Sequence, residues 1–395
     1  MKKTTFIILG LVSTILLGVW AYLLFFHTPS EEGGFFADFG WFNNQDITPV
    51  QIPPLIDQEV PLVNVQGPRL RQLTTKPVAG YTEIYSTSTE PYFVRYVEAG
   101  LGHIYEINME TGEEIRVSNT TVPQAMRAEF SPSGAQVAIQ ADVTARNLVT
   151  VGTITNGEFT SQNLPTTVTD FTFADNGELY YSEVPASGTD TLGIALNLTT
   201  NTSRNLFTIP FRAANIGWAK EGRNTHYTYT KPASRLLGYM YSITGSTILR
   251  QPVSGNGLNV IANDDFIVYS LRSGETHLSY TYNKNTKEFG TIPILPIPEK
   301  CTFSTTQTNV LYCGYEYTFY DYRFPDTWYK GQISLNDTLW RVNIEESSAG
   351  QLVIPMQTIG RELDITSMAH SGNTAMLYFI NKHDKTLWAY DLVGN

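Results

Sequence analysis

Short strands recur along this chain at a nearly fixed interval, and that interval constrains the fold more than any other feature. Residues 124–164 hold four in a row, QAMRAEFSP, AQVAIQADV, RNLVTVGTI and EFTSQNL, with apolar and polar residues alternating and tight-turn dipeptides at Ser133-Gly134 and Asn156-Gly157. Comparable hairpin tips fall at Ser133-Gly134, Asn176-Gly177, Glu221-Gly222, Asp264-Asp265, Gln307-Thr308 and Ser371-Gly372, spaced 43, 45, 43, 43 and 64 residues apart. A period near 40–45 residues is that of four-stranded blades arranged around a channel. Blade starts near Tyr81, Gln124, Val168, Ala213, Gly257, Lys300 and Leu363 give seven. The expectation is therefore all-β: a seven-bladed β-propeller over residues 67–395. A length of 395 residues exceeds what one core usually supports, and a ring that grows blade by blade escapes that limit. The 23 Tyr, 20 Phe, 30 Gly and 20 Pro favour strands and turns.

The ends of the repeat complement each other. RLRQLT, Arg69 to Thr74, has no partner before it, while LDITSMAHSG, NTAMLYFINK and KTLWAYDL are three strands with no fourth. If the first segment supplies the outer strand of the last blade, the ring closes and no outer edge is left unpaired.

Internal copies support the repeat. DTLWRVNI from Asp337 and KTLWAYDL from Lys385 are the same third strand, and GHIYEIN near His103 is a looser copy. Ala-Glu-Phe followed by SPSG, Ser131 to Gly134, resembles the F-S-P-D-G hairpin of TolB-like and WD40-like propeller repeats, with Ser133 where those repeats usually carry Asp. FADNG at Phe173 and WAKEG at Trp218 are degenerate copies, and the Trp-Asp and Gly-His dipeptides of the WD40 repeat are missing. The resemblance implies the fold and carries over no functional residue.

Ahead of the repeat, Lys2 and Lys3 precede 21 uncharged residues, 6–26, long enough to span a hydrocarbon core. No A-x-A site or lipobox-like cysteine follows, so residues 1–27 read as an uncleaved signal-anchor transmembrane helix, against the alternative of a signal peptide cut near His27. Lys2 and Lys3 before the span, with Glu31, Glu32 and Asp38 after it, place the N-terminus in the cytoplasm and the propeller outside a single-pass cell membrane protein. Residues 28–66, with Gly33-Gly34, Pro49, Pro53-Pro54 and Pro61, read as an extended linker. Phe35, Phe36, Phe39, Trp41 and Phe42 inside it suit either the membrane interface or a partner membrane protein. A net charge of −11 and the lack of a basic stripe argue against nucleic acid.

The interval of 64 exceeds the others by the length of one segment, EYTFYDYRFPDTWYKGQISLN, residues 316–336, inserted between the second and third strands of blade six. That connection lies on the channel-entry face. Tyr317, Tyr320, Tyr322, Arg323, Trp328 and Tyr329 are its candidate binding residues, with Trp328 and Tyr320 as anchors, because amphipathic aromatics beside charge suit a protein partner, a peptide or a glycan. The plainer reading is a flap that packs down on its own aromatics.

Cys301 and Cys313 stand equidistant from Gln307 and face one another in a hairpin centred there, so a disulfide is expected, two buried thiols being the alternative. Two cysteines without CxxC make no zinc site, the six histidines are scattered singly, and no cofactor is implied. Charged residues near the blade starts, Glu83, Arg127, Asp170, Arg212, Lys300, Glu362 and Asp364, read as solvated channel walls. Two functions follow: an envelope interaction or scaffolding module, or an envelope hydrolase or lyase at the channel mouth. An enzyme predicts ionisable groups converging under the insertion with shifted pKa values, and a platform predicts an exposed aromatic face.

Overall fold

The computed structural model describes residues 68–85, 92–143, 146–212, 214–220, 223, 225–274, 276–317, 321 and 323–393. The candidate anchor at 6–26, the linker with its aromatic run, Tyr320 and Tyr322 lie outside them. Among the described residues no helix is long and apolar enough to cross a membrane.

Antiparallel strands succeed one another along the chain. After β1 (Leu70–Gln72), one sheet holds β2 (Val78–Ile84), β3 (Phe93–Glu98), β4 (Ile104–Asn108) and β5 (Glu114–Ser118). The next holds β6 (Ala125–Phe130), β7 (Gln136–Val143), β8 (Arg146–Thr155) and β9 (Glu158–Asn163). A third holds β10 (Val168–Phe173), β11 (Leu179–Glu183), β12 (Thr191–Asn197) and β13 (Thr202–Ile209). A seven-stranded sheet follows, made of β14 (Ala214–Gly217), β15 (His226–Thr230), β16 (Leu237–Thr244), β17 (Thr247–Ala262), β18 (Phe266–Ser273), β19 (Thr276–Asn283) and β20 (Phe289–Thr291). Then come β21 (Cys301–Phe303), β22 (Val310–Tyr315), β23 (Thr338–Asn343) and β24 (Ser348–Val353). β25 (Ile365–Ser371), β26 (Met376–Asn381) and β27 (Leu387–Asp391) end the chain, in a sheet that β1 joins. The predicted tips at 133–134, 176–177, 264–265 and 307–308 fall between consecutive strands, the tip at 371–372 begins on the last residue of β25, and the tip at 221–222 lies outside the described residues. Within the long sheet, β17 pairs with β16 up to Asn256 and with β18 from there to Ala262, and Gly257, at φ 62°, sits where the partner changes.

Both faces of these sheets are apolar, and the period-two pattern shows why. In β26, MLYFIN, every residue is buried; Leu377 and Phe379 pack with Val310, Tyr312 and Leu339 of the sheet before. Met376, Tyr378 and Ile380 pack the other way, against Val78, Val94, Tyr96 and Ile107 of the first sheet. The same sharing joins β2–β5 to β6–β9 through Val97, Ile104, Val137 and Ile139. It joins β6–β9 to β10–β13 through Val149, Val151, Phe171 and Leu179, and β10–β13 to the long sheet through Phe207, Ile209, Trp218 and Ile243. Phe266 and Val268 meet Leu311 and Val342 in the same manner. The succession returns to its start, as a β-propeller-like all-β fold requires. Innermost strands approach closely: a Cβ on Gly80 of β2 would stand 1.9 Å from the Ala128 carbonyl oxygen of β6.

Cys301 and Cys313 are register partners on β21 and β22, both buried, and are joined by a disulfide. His226 stands in an aromatic box with Phe207 and Trp218 at 5.3 and 5.7 Å between ring centroids, and its Nδ1 accepts the Ala219 amide at 3.0 Å. Burial, reinforced by Arg223 and Arg204, lowers its pKa from 6.5 to about 4, so this histidine is a neutral acceptor. A depressed folded pKa contributes stability above the unfolded value that is lost as pH falls through the folded one. Stability measured by denaturant titration should therefore drop between pH 6.5 and 4, by up to about 3 kcal/mol from this group, and His226→Gln should flatten that part of the profile. An unchanged slope in the variant would discard the assignment.

β1 lies along β27 in the register Leu70↔Tyr390, Arg71↔Ala389 and Gln72↔Trp388. Around it, Leu73 N donates to Leu387 O at 2.8 Å, Asp391 N to Arg69 O at 2.8 Å, and Leu387 N to Thr74 Oγ1 at 2.9 Å. Leu70 is buried in the core between the last two sheets. A chain lacking residues 1–66 should unfold cooperatively and stay soluble, whereas one lacking 1–76 should expose the β27 edge and aggregate or melt earlier. Equal melting of the two would refute the closure.

Candidate functional site

Residues 316–337 leave β22 at its end and return to β23, at the place expected of the insertion. Asp321 starts its fold: Oδ1 accepts the Arg323 amide at 2.8 Å and Oδ2 the Thr327 hydroxyl at 2.5 Å. Against the opposing effect of burial, those two bonds hold Asp321 below the ordinary carboxylate range. One helical turn, α1 (Asp326–Tyr329), follows and ends at Gly331, whose φ is 66°. Phe324, Trp328 and Leu335 pack beneath it against Leu295 and Ile297.

Polar contacts tie this turn to strands far apart in the chain. Ser234, between β15 and β16, donates its amide and hydroxyl to Asp326 at 3.1 and 2.8 Å. His277 Nε2 lies 3.0 Å from the Phe324 carbonyl. The Tyr329 hydroxyl lies 3.1 Å from Asn259 Oδ1 and 3.1 and 3.2 Å from the two oxygens of Glu299. From the last sheet, Lys382 Nζ donates to Trp328 O at 2.6 Å and sits 3.8 Å from the indole centroid. The insertion is thus a cap braced from several sides.

Its innermost brace is a buried ion triplet. Lys300 is 1% exposed and its Nζ donates to Asp337, to Asp364 at 2.7 Å and to Ile365 O at 3.1 Å. Asp364 also accepts the Trp328 indole N–H, 3.0 Å from each oxygen, and the Leu335 amide at 3.2 Å. Asp337 accepts the Ile365 amide at 2.7 Å through Oδ2, while Oδ1 has no partner among the described residues. Burial outweighs the Lys300 charge and, with Asp364 adding to it, pushes Asp337 up to about 6.

Beside the cap opens a cavity of about 460 Å³ lined by Asn215, Lys231, Pro232, Ala233, Glu299, Asp326, Tyr329 and Lys330. Burial raises the Glu299 carboxyl, and burial followed by the Glu299 charge raises the Tyr329 phenol well above its ordinary value. Lys382 is lowered, by burial first. Among the described residues no group of three or more His, Cys, Asp or Glu is arranged to hold a metal ion.

The predicted binding residues separate here. Trp328, expected as a surface anchor, is 3% exposed, because its ring fills the core beneath the cap and its N–H is engaged by Asp364. Tyr317 is 73% exposed, Tyr329 is 39% exposed and lines the cavity, and the exposed Arg323 guanidinium lies 3.8 Å from Asp321. Lys300 and Asp364, expected as solvated walls, are buried partners instead. Glu83 bridges sheets, accepting from Ser371, from Thr374 at 2.6 Å and from Tyr378 at 2.8 Å, and Arg127 reaches Asp170 at 2.6 Å. Glu299, Lys382, Ser234, Asn259 and Lys231 escaped the sequence reading, which has no means of pairing residues up to 92 positions apart. Asp337 did carry a signal: DTLW and KTLW are copies of one strand, and only the first begins with an acid.

No protein-family model and no curated protein matches the sequence. Among solved structures the chain is similar to an oligogalacturonate lyase from Vibrio parahaemolyticus, at 10% identity over 82% of this chain and 93% of that one, TM-score 0.54. An oligogalacturonate lyase in complex with manganese matches at 10% identity over the same shares, TM-score 0.52. The β-propeller domain of the Trilobed protease from Pyrococcus furiosus covers 80% of this chain and 96% of that one at 10% identity, TM-score 0.49. At that identity the first two bear on the fold alone.

Replacing Trp328 by Ala should lower unfolding stability by about 3 kcal/mol or more, since it leaves a cavity and takes a donor from buried Asp364. Chemical denaturation of the variant reads this directly, and a loss under about 1 kcal/mol would show that the cap does not depend on the indole.

Proposed function

We propose that this chain is a membrane-anchored, extracytoplasmic β-propeller of seven blades, serving as a protein-interaction or scaffolding module of the cell envelope through its capped mouth. The long sheet would contribute two blades joined through β17, which supports the count of seven. Lys2, Lys3 and the uncharged residues 6–26 support the anchor and its orientation. The observation that carries the interaction reading is the cap. Ionisable groups with shifted pKa values do converge under the insertion, as an enzyme predicts. Lys300, Asp337 and Asp364, however, are sealed from the surface and hold the cap, while Tyr317 and Tyr329 stay exposed on it. The braced insertion makes a fixed rim and cavity on one face.

A photo-crosslinking residue placed at Tyr317, on the cap rim, should capture an envelope protein in intact cells. The same residue at Asn156, in the β8–β9 turn on the opposite face, should capture little. Equal capture at the two positions, or a ring protected from protease added to spheroplasts, would overturn the assignment.

A second reading is favoured by Glu299, whose carboxyl is raised by burial and stands at the cavity beside Tyr329, as a general acid would. On that reading the chain is an envelope hydrolase or lyase acting on glycan or peptide, and Glu299→Gln would abolish turnover while leaving capture at Tyr317 intact.

A further inference from the structure

The cavity beside the cap holds charges of both signs, but they are not equally engaged. Both oxygens of Asp326 are occupied by Ser234, and both oxygens of Glu299 lie within 3.2 Å of the Tyr329 hydroxyl. Burial also raises Glu299 toward its neutral form. The ammonium groups of Lys231 and Lys330, exposed on the same cavity, form no hydrogen bond or ion pair with a described residue. The chain as a whole carries 37 acidic against 26 basic side chains, whereas this lining carries two of each, and its two ammonium groups are the ones left without a partner among the described residues. An anion entering this cavity meets two ammonium groups that have no counter-ion among the described residues.

We infer that this cavity binds the carboxylate of a small or terminal ligand group, with Lys231 and Lys330 as counter-charges and Tyr329 and Pro232 as the wall beside it. Its volume of about 460 Å³ lies within the range of small-ligand sites, enough for the end of a peptide or for a sugar acid. Primary ammonium groups suit this task as point charges on flexible stems that close on an anion from two sides. Asn215 adds an amide that can pair with the polar group next to the carboxylate. This assignment rests on the capped mouth being the recognition face, which crosslinking at Tyr317 tests separately. If that capture holds and carboxylates fail to bind, the ligand class alone falls.

The full chain in lipid nanodiscs would be titrated calorimetrically with N-acetyl-alanyl-alanine, its C-terminal amide, glucuronate and glucose. At least one acid should bind at least tenfold more tightly than its neutral analogue, more weakly as salt rises, and the tighter acid identifies the source as peptide terminus or sugar. The double variant Lys231→Gln, Lys330→Gln should lose at least tenfold in affinity with an unchanged melting temperature, and Lys287→Gln, in the β19–β20 turn on the opposite face, should lose nothing. Equal affinity for acid and neutral analogue, no binding of either acid, or full affinity in the double variant would overturn the proposal.

Discussion

A sheet with two apolar faces cannot stand at the end of a row, and that constraint governs this molecule. β26 shows it in six residues, Met376 to Asn381, all buried, with alternate side chains given to different neighbours. Any open succession of such sheets would leave two faces wet, each exposing several large side chains worth roughly 1.5–3 kcal/mol apiece. Returning to the first sheet removes both at once. What closure leaves over is the hydrogen-bonding edge of β27, and β1, the first described strand of the chain, covers it.

The cap is held by a different kind of constraint. Lys300, Asp337 and Asp364 are out of water, and a buried ion cluster of this sort adds little net stability compared with apolar packing. It does penalise every alternative arrangement. If the cap shifted, the Trp328 indole and the Leu335 amide would leave Asp364, and a buried carboxylate would keep only Lys300 of those three donors. Position is thereby fixed by polar demand, while Phe324, Leu295 and Ile297 supply the apolar contact that makes the site dry.

Much of the ring was legible because it is local and periodic. Hairpin tips such as Ser133-Gly134 and Asn176-Gly177 announce themselves through turn chemistry, the unpaired segment at Arg69 matched the strand missing at the other end, and Gly257 marked a boundary even though no loop interrupts β17 there. The site was legible only in outline. The insertion showed as a break in the period, but aromatic content cannot distinguish an indole turned outward from one turned into a core. Trp328 depends on Asp364, 36 residues away, and Asp326 on Ser234, 92 residues away. Such pairings arise from the closed ring, where blades distant in sequence share one mouth.

The position of β1 has a mechanical consequence. The chain enters the ring at its outermost edge, so tension transmitted from residues before Arg69 falls first on the short ladder between Leu70–Gln72 and β27. Loaded along its length, that ladder bears the load on several hydrogen bonds together; peeled from its end, it gives way one bond at a time. The direction in which the ring is pulled therefore sets the force at which it would spring open.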